Sequence, residues 1–111
     1  MKTNTPQSIK TKYTLQRIWK EILETFLAGQ KEYAHEKINP FRQFQEIGRE
    51  LSFPQEKILW VFFKKHCDGI LAHLNGHKSQ REDVRGRIKD AIIYLLILWM
   101  MLDQTNGPKR N

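Results

Sequence analysis

The chain has 111 residues, 40% of them hydrophobic and 28% charged, which is the length of one domain and the composition of an ordinary soluble globular protein. Nineteen Lys and Arg against 12 Asp and Glu leave a formal charge of +7. That excess favours an anionic partner (nucleotide, nucleic acid or acidic lipid surface), unless it serves solubility alone.

One cysteine, Cys67, rules out an internal disulfide and fits a reducing cytoplasm. No basic-then-apolar leader opens the chain, so no secretory signal is expected. The longest apolar run, Ala91 to Leu102, is well short of the roughly 20 residues a bilayer span needs. A membrane anchor is therefore not expected, and the predicted location is the cytoplasm.

Residues 1–8 are polar, carry a proline and are expected to be disordered. A single helical domain is predicted over 9–104, followed by a basic tail over 105–111. Its first helix is marked by Leu15, Ile18, Trp19, Ile22, Leu23, Phe26 and Leu27, spaced for one apolar stripe. Ser8 or Thr14 can cap its start. The helix ends at Gly29 or runs on through Lys31, Glu32, Tyr33 and Ala34.

Asn39-Pro40 reads as an N-cap followed by a first helical residue, because proline is at home only in the first turn. The second helix then carries Phe41, Phe44, Ile47 and Leu51. Ser52-Phe53-Pro54 repeats the signal, with Ser52 or Phe53 as cap, and a third helix is predicted from Gln55 to Leu74. Its middle, residues 58–63, is apolar on every side. Asn75-Gly76 stops it. The last helix is predicted from Arg81 or Glu82 to Asp103 and is again apolar all round from 91 to 102. No segment alternates with period two, so no strand is expected. The predicted fold is all-α: a compact bundle of about four helices. Two of these carry more apolar surface than a monomer can hide, so a homodimer or higher symmetric oligomer is expected.

Three groups of residues are candidates for chemistry. Lys64, Lys65, His66 and Asp68 follow the apolar half of the third helix. They are either an anion site, with lysine as point charge and His66 as donor, or a solvated stretch of local ion pairs. Arg85, Arg87, Lys89 and Asp90 come next. Arginine meets phosphate with two parallel hydrogen bonds; the alternative is a cationic face paired with Glu82, Asp83 and Asp90. Asp90 stands where the helix turns apolar, and a carboxylate there is costly unless paired or metal-bound. Tyr33, Asn39, Phe41 and Gln43 are suited to stacking on a base and hydrogen-bonding it, or to capping and core packing. The anion pocket is expected to draw on Lys65, His66, Arg85 and Arg87, with Tyr33 or Tyr94 near a base or ribose. No metal-ligand spacing and no thiol-enzyme, phosphate-loop or serine-hydrolase motif is present, and no catalytic residue is assigned.

Several of these residues also carry a family resemblance. Tyr33-Ala34, Asn39-Pro40-Phe41-Arg42-Gln43-Phe44, Pro54-Gln55-Glu56, Lys65-His66 and Arg87-Ile88-Lys89-Asp90-Ala91-Ile92-Ile93-Tyr94-Leu95 stand in the order found in small phage-encoded helical proteins. Over residues 31–102 the chain resembles the nucleotide modification associated domain family, itself similar to the all-α, MazG-like NTP pyrophosphohydrolases. The resemblance implies a helical, oligomeric protein with a nucleotide ligand, acting in the host cytoplasm. The pyrophosphohydrolases hold Mg²⁺ between two acidic pairs, one Glu-x-x-Glu and one Glu-x-x-Asp. Here Arg87 occupies the position three residues before Asp90, where that pattern requires an acid. Glu46 and Glu50 are a candidate remnant. The departure favours direct phosphate binding without a cofactor, such as sequestration of a nucleotide immune signal as an anti-defence device. Mg²⁺ belongs only to the alternative, a nucleotide pyrophosphohydrolase. A second alternative is a basic nucleic-acid-binding or structural protein.

Overall fold

A computed structural model describes residues 5–34, 39–77 and 83–106, with the side chains of residues 30–34 and 106 outside the description. Four helices are present: α1 Pro6–Ala34, α2 Arg42–Leu51, α3 Gln55–Leu74 and α4 Val84–Asn106. Among the described residues there is no strand. The all-helical expectation holds. The chain divides into two units, Met1–Ile38 and Asn39–Asn111.

In the first unit, α1 begins earlier than Ser8 or Thr14. Thr5 is the cap: its Oγ1 accepts from the Ser8 N–H at 3.1 Å, and its carbonyl accepts from the Ile9 N–H at 3.1 Å. Pro6 follows as first helical residue, with its fixed φ suited to the position. The turn Pro6–Ser8 is thus helix and not part of a tail over 1–8; residues 1–4 lie outside the description. At the other end the helix passes Gly29 and continues to Ala34.

The second unit is built by α2, α3 and α4, with α3 packed on both others. Asn39 and Pro40 are not the N-cap and first residue of α2, whose capping position is Phe41 without a side-chain hydrogen bond; they form the turn ahead of it. Asn39 Oδ1 accepts from the Phe41 N–H at 3.1 Å, forming a turn from which the helix departs at Arg42. Between α2 and α3 the chain reverses through Ser52 in the left-handed region, φ 59°. Neither Ser52 nor Phe53 caps α3: the capping position is Pro54, without a side-chain hydrogen bond. Gly76, φ 93°, closes α3 as predicted, and its N–H donates to the His73 carbonyl at 3.0 Å. The start of α4 at Val84 follows Asp83, whose Oδ1 accepts from the Arg85 N–H at 2.8 Å. The proposed start at Arg81 or Glu82 lies outside the described residues. The end runs past Asp103 to Asn106, into the segment expected as a tail; 107–111 lie outside the description.

The core of this unit is Phe41, Phe44, Ile58, Leu59, Ala91, Ile97 and Met101. The apolar runs are therefore only partly used. In 58–63, Ile58 and Leu59 are buried while Trp60 and Val61 are exposed.

Gly48 lets the α2–α3 corner close. A Cβ there would stand 2.6 Å from the Phe53 carbonyl oxygen, a backbone atom that cannot swing aside. The Gly48 carbonyl accepts from the Phe53 N–H at 2.9 Å, so the two segments are already pinned together. Gly48→Ala gains up to about 1 kcal/mol of helix propensity and loses about 1–3 kcal/mol to overpacking. Because the obstructing atom is backbone, the loss is expected to win. Urea denaturation should report a less stable protein with an unchanged m value; equal or greater stability would show that the corner relaxes freely.

Candidate functional site

The facing sides of α3 and α4 place a small group of polar and aromatic side chains together. On α3, Phe62, His66 and Gly69 recur at helical spacing along one side; on α4, Arg87, Asp90 and Tyr94 do the same. Gly69 is the closest point. A Cβ there would lie 2.6 Å from Arg87 Nη1, 2.8 Å from Cδ and 2.9 Å from Cζ. The arginine side chain crosses α3 in the space that the missing side chain leaves.

One turn earlier on α3, the His66 ring sits 5.3 Å from the Tyr94 ring at 34°. Phe62 stacks on Tyr94 at 6.3 Å and 19°, and Phe44 meets it edge-on at 6.0 Å and 76°. Tyr94 thus has aromatic neighbours from α2 and α3. Burial, and then the negative charge of Asp90 four residues before it, push the phenol above its ordinary pKa of 10.0. It stays a neutral O–H donor throughout the physiological range. His66 Nδ1 is buried and, among the described residues, has no hydrogen-bond partner. A buried imidazole nitrogen left unpaired costs about 1–3 kcal/mol, so a group that satisfies it gains that much.

The other candidate residues stand apart from this seam. Arg85 lies two residues before Arg87, on another side of α4; its Nε is 3.8 Å from Asp83 Oδ1 and its side chain is 88% exposed. Lys65 is exposed on the neighbouring side of α3. Lys64 and Asp68 form an i, i+4 ion pair at 2.5 Å with both side chains largely in solvent, which is the ordinary surface pairing weighed against an anion site. Asn39 is committed to its turn. Tyr33 belongs to α1, and its side chain lies outside the description. Glu46, half of the candidate acidic remnant, accepts from Arg42 Nε at 3.0 Å. Among the described residues no three His, Cys, Asp or Glu side chains gather as a metal ion would require.

Sequence reasoning passed over Gly69 and Phe62. Gly69 had a signal: glycine inside a helix costs up to about 1 kcal/mol relative to alanine, so its presence marks a close approach. Compared with known families, characterised proteins and solved structures, the chain matches none of them. Among the described residues no helix is long and apolar enough to cross a membrane.

Proposed function

We propose that this protein binds a nucleotide, mono-, di- or cyclic, at the α3–α4 seam and holds it without converting it. The observation that carries the reading is the buried Nδ1 of His66, without a hydrogen-bond partner among the described residues, beside a phenol held neutral and one turn from a guanidinium lying across the same helix. Arg87 supplies the permanent charge and planar donor set that suit phosphate. Tyr94 and His66 supply ring faces and hydrogen-bonding groups for base or ribose, and Lys65 supplies a mobile charge near the rim. The chain's charge of +7 attracts such a ligand over distance.

Mg²⁺ does not fit this donor set. Asp90 brings one carboxylate, and Arg87 shares its side of the helix where a second acid would be needed. No hydrolytic step is assigned, and the role in view is sequestration of a nucleotide signal by an oligomer in the host cytoplasm.

Calorimetry against a panel of linear and cyclic nucleotides tests the reading. A charge-assisted contact to phosphate is worth about 1.5–3 kcal/mol, and each 1.4 kcal/mol is about tenfold in affinity. Arg87→Ala should weaken binding about tenfold to a hundredfold. Gly69→Ala should do the same while keeping the arginine, since its methyl group displaces the guanidinium. Arg49→Ala, on the exposed side of α2, should have no effect. Failure of every nucleotide to bind, or equal affinity of all three variants, would remove the seam as the site. Mg²⁺-dependent release of pyrophosphate that Asp90→Ala abolishes would restore the hydrolase.

A further inference from the structure

The first unit is described by a single helix, α1, and one side of that helix is apolar and open. Leu15, Trp19, Leu23 and Leu27 recur every four residues and are 40–62% exposed. Ile9 and Tyr13 border this row nearer the helix start and are exposed as well. The buried Ile22 marks a neighbouring side. The charges divide by the same geometry. At about 100° of turn per residue, Lys12 lies about 20° from Trp19 around the helix and Lys20 about 100°, while Glu21 and Glu24 lie about 160° and 140° away. The far side is balanced, with Lys10 and Arg17 accompanying those two acids; the open side has cations at its centre and flank and no acid. Lys12 has no ion-pair partner among the described residues, and Lys20 reaches Glu24 only at 3.9 Å with both side chains largely in solvent. Along the sequence, residues 1–20 hold five cations and no Asp or Glu.

We infer that this side of α1 lies in the interface of an anionic phospholipid bilayer, with the helix axis along the surface. The leucine row leaves water by entering the acyl boundary, while the indole N–H of Trp19 and the phenol of Tyr13 stay among the headgroups. Lys12 and Lys20 carry their charge past the row on flexible stems, to meet lipid phosphates and carboxylates. The aliphatic row decides against nucleic acid, whose phosphate backbone would engage the lysines and leave Leu15, Leu23 and Leu27 in water. The cations decide against a second copy. Two such sides face to face, in either direction, would bring together charges of one sign with no acid between them, which is unfavourable. Lying on a surface differs from crossing it, and among the described residues no helix is long and apolar enough to cross. None of the seam residues belongs to α1, so lipid binding and nucleotide binding stand or fall separately.

Sedimentation of the full chain with vesicles should show binding to phosphatidylcholine mixed with phosphatidylserine and little to phosphatidylcholine alone, and salt should weaken it. Trp19→Gln with Leu23→Gln should lower the partition at least about tenfold. Helical circular dichroism should be unchanged, because both side chains are exposed. Lys12→Glu should lower it roughly tenfold to thirtyfold, since the charge at the surface is reversed. Lys10→Glu should lower it distinctly less, because a helix about 10–12 Å across places that residue about a Debye length from the lipid. In the unaltered chain, lipids brominated near the headgroup should quench tryptophan fluorescence. Trp19→Phe should remove that quenching and keep the binding, which separates Trp19 from Trp60 and Trp99.

Equal binding to both kinds of vesicle overturns the anionic surface, and binding to neither overturns lipid altogether. Binding that survives Trp19→Gln with Leu23→Gln, or quenching that survives Trp19→Phe, overturns this side of α1. If the glutamine variant loses its helix, quenching in the unaltered chain and its loss in Trp19→Phe decide alone. A chain that ignores vesicles but binds duplex DNA or RNA, and loses it in Lys12→Glu and not in the glutamine variant, overturns lipid in favour of nucleic acid. A chain that ignores vesicles and forms a dimer that the glutamine variant cannot overturns it in favour of a second copy.

Discussion

Leu59→Asp is expected to leave the second unit unfolded, while Val61→Asp two residues on is expected to change its stability by no more than about 0.5 kcal/mol. Leu59 is 0% exposed and Val61 is 65% exposed, although both belong to one uninterrupted apolar segment of α3. Removing a buried leucine costs about 2–5 kcal/mol. An unpaired carboxylate in its place adds several more, because it must either ionise away from water or take up a proton at a cost. Together these approach the whole stability of a typical domain, about 5–15 kcal/mol. Far-ultraviolet circular dichroism with a urea titration separates the two variants. If Leu59→Asp folds cooperatively, or Val61→Asp does not, the assignment of sides on α3 is wrong.

That contrast also marks where the sequence stops being readable. The helices α2 and α3 were legible because they carry punctuation with a backbone cause: Pro40 and Pro54 ahead of them, and Asn75-Gly76 after α3. Thr5-Pro6 is the same kind of signal, and it was obscured by the polar composition around it. Periodicity failed where every position is apolar. In 58–63 and 91–102 no polar residue marks the solvent side, so nothing in the pattern ranks Leu59 above Val61 or Met101 above Leu102. The candidate site was half legible for a related reason. Lys64, Lys65, His66 and Asp68 cluster in sequence, as do Arg85 and Arg87, but neighbours on a helix point in different directions. Of these residues the seam gathers only His66 and Arg87 and joins them to Asp90, Tyr94, Gly69 and Phe62. Several of those are isolated in sequence and meet only through the packing of α3 on α4.

Phe44→Ala is expected to cost about 3–5 kcal/mol, the range for deleting a buried aromatic side chain. Phe44 is 2% exposed and carries the short helix α2 onto both α3 and α4: it meets Phe62 at 5.7 Å and 60°, and Tyr94 at 6.0 Å and 76°. A ten-residue helix does not hold itself in water; it persists because its apolar side is buried, and Phe44 is the largest part of that side. Its loss should also be visible at Tyr94. Burial is the main reason this phenol titrates above 10.0, and Phe44 supplies part of that burial. The native state therefore gains stability from the raised value at any pH below the unfolded phenol's pKa. It loses that gain as pH rises through the folded one. In Phe44→Ala the phenol should ionise closer to its ordinary value, and the alkaline loss of stability should shrink. Ultraviolet titration of tyrosinate together with urea denaturation at neutral and alkaline pH measures both effects. Phe44→Leu, which keeps most of the volume, should lose distinctly less than the alanine variant. A cost below about 1 kcal/mol for Phe44→Ala, with the Tyr94 titration unmoved, would mean that α2 is held by other contacts and that the aromatic cluster does not set the environment of the seam.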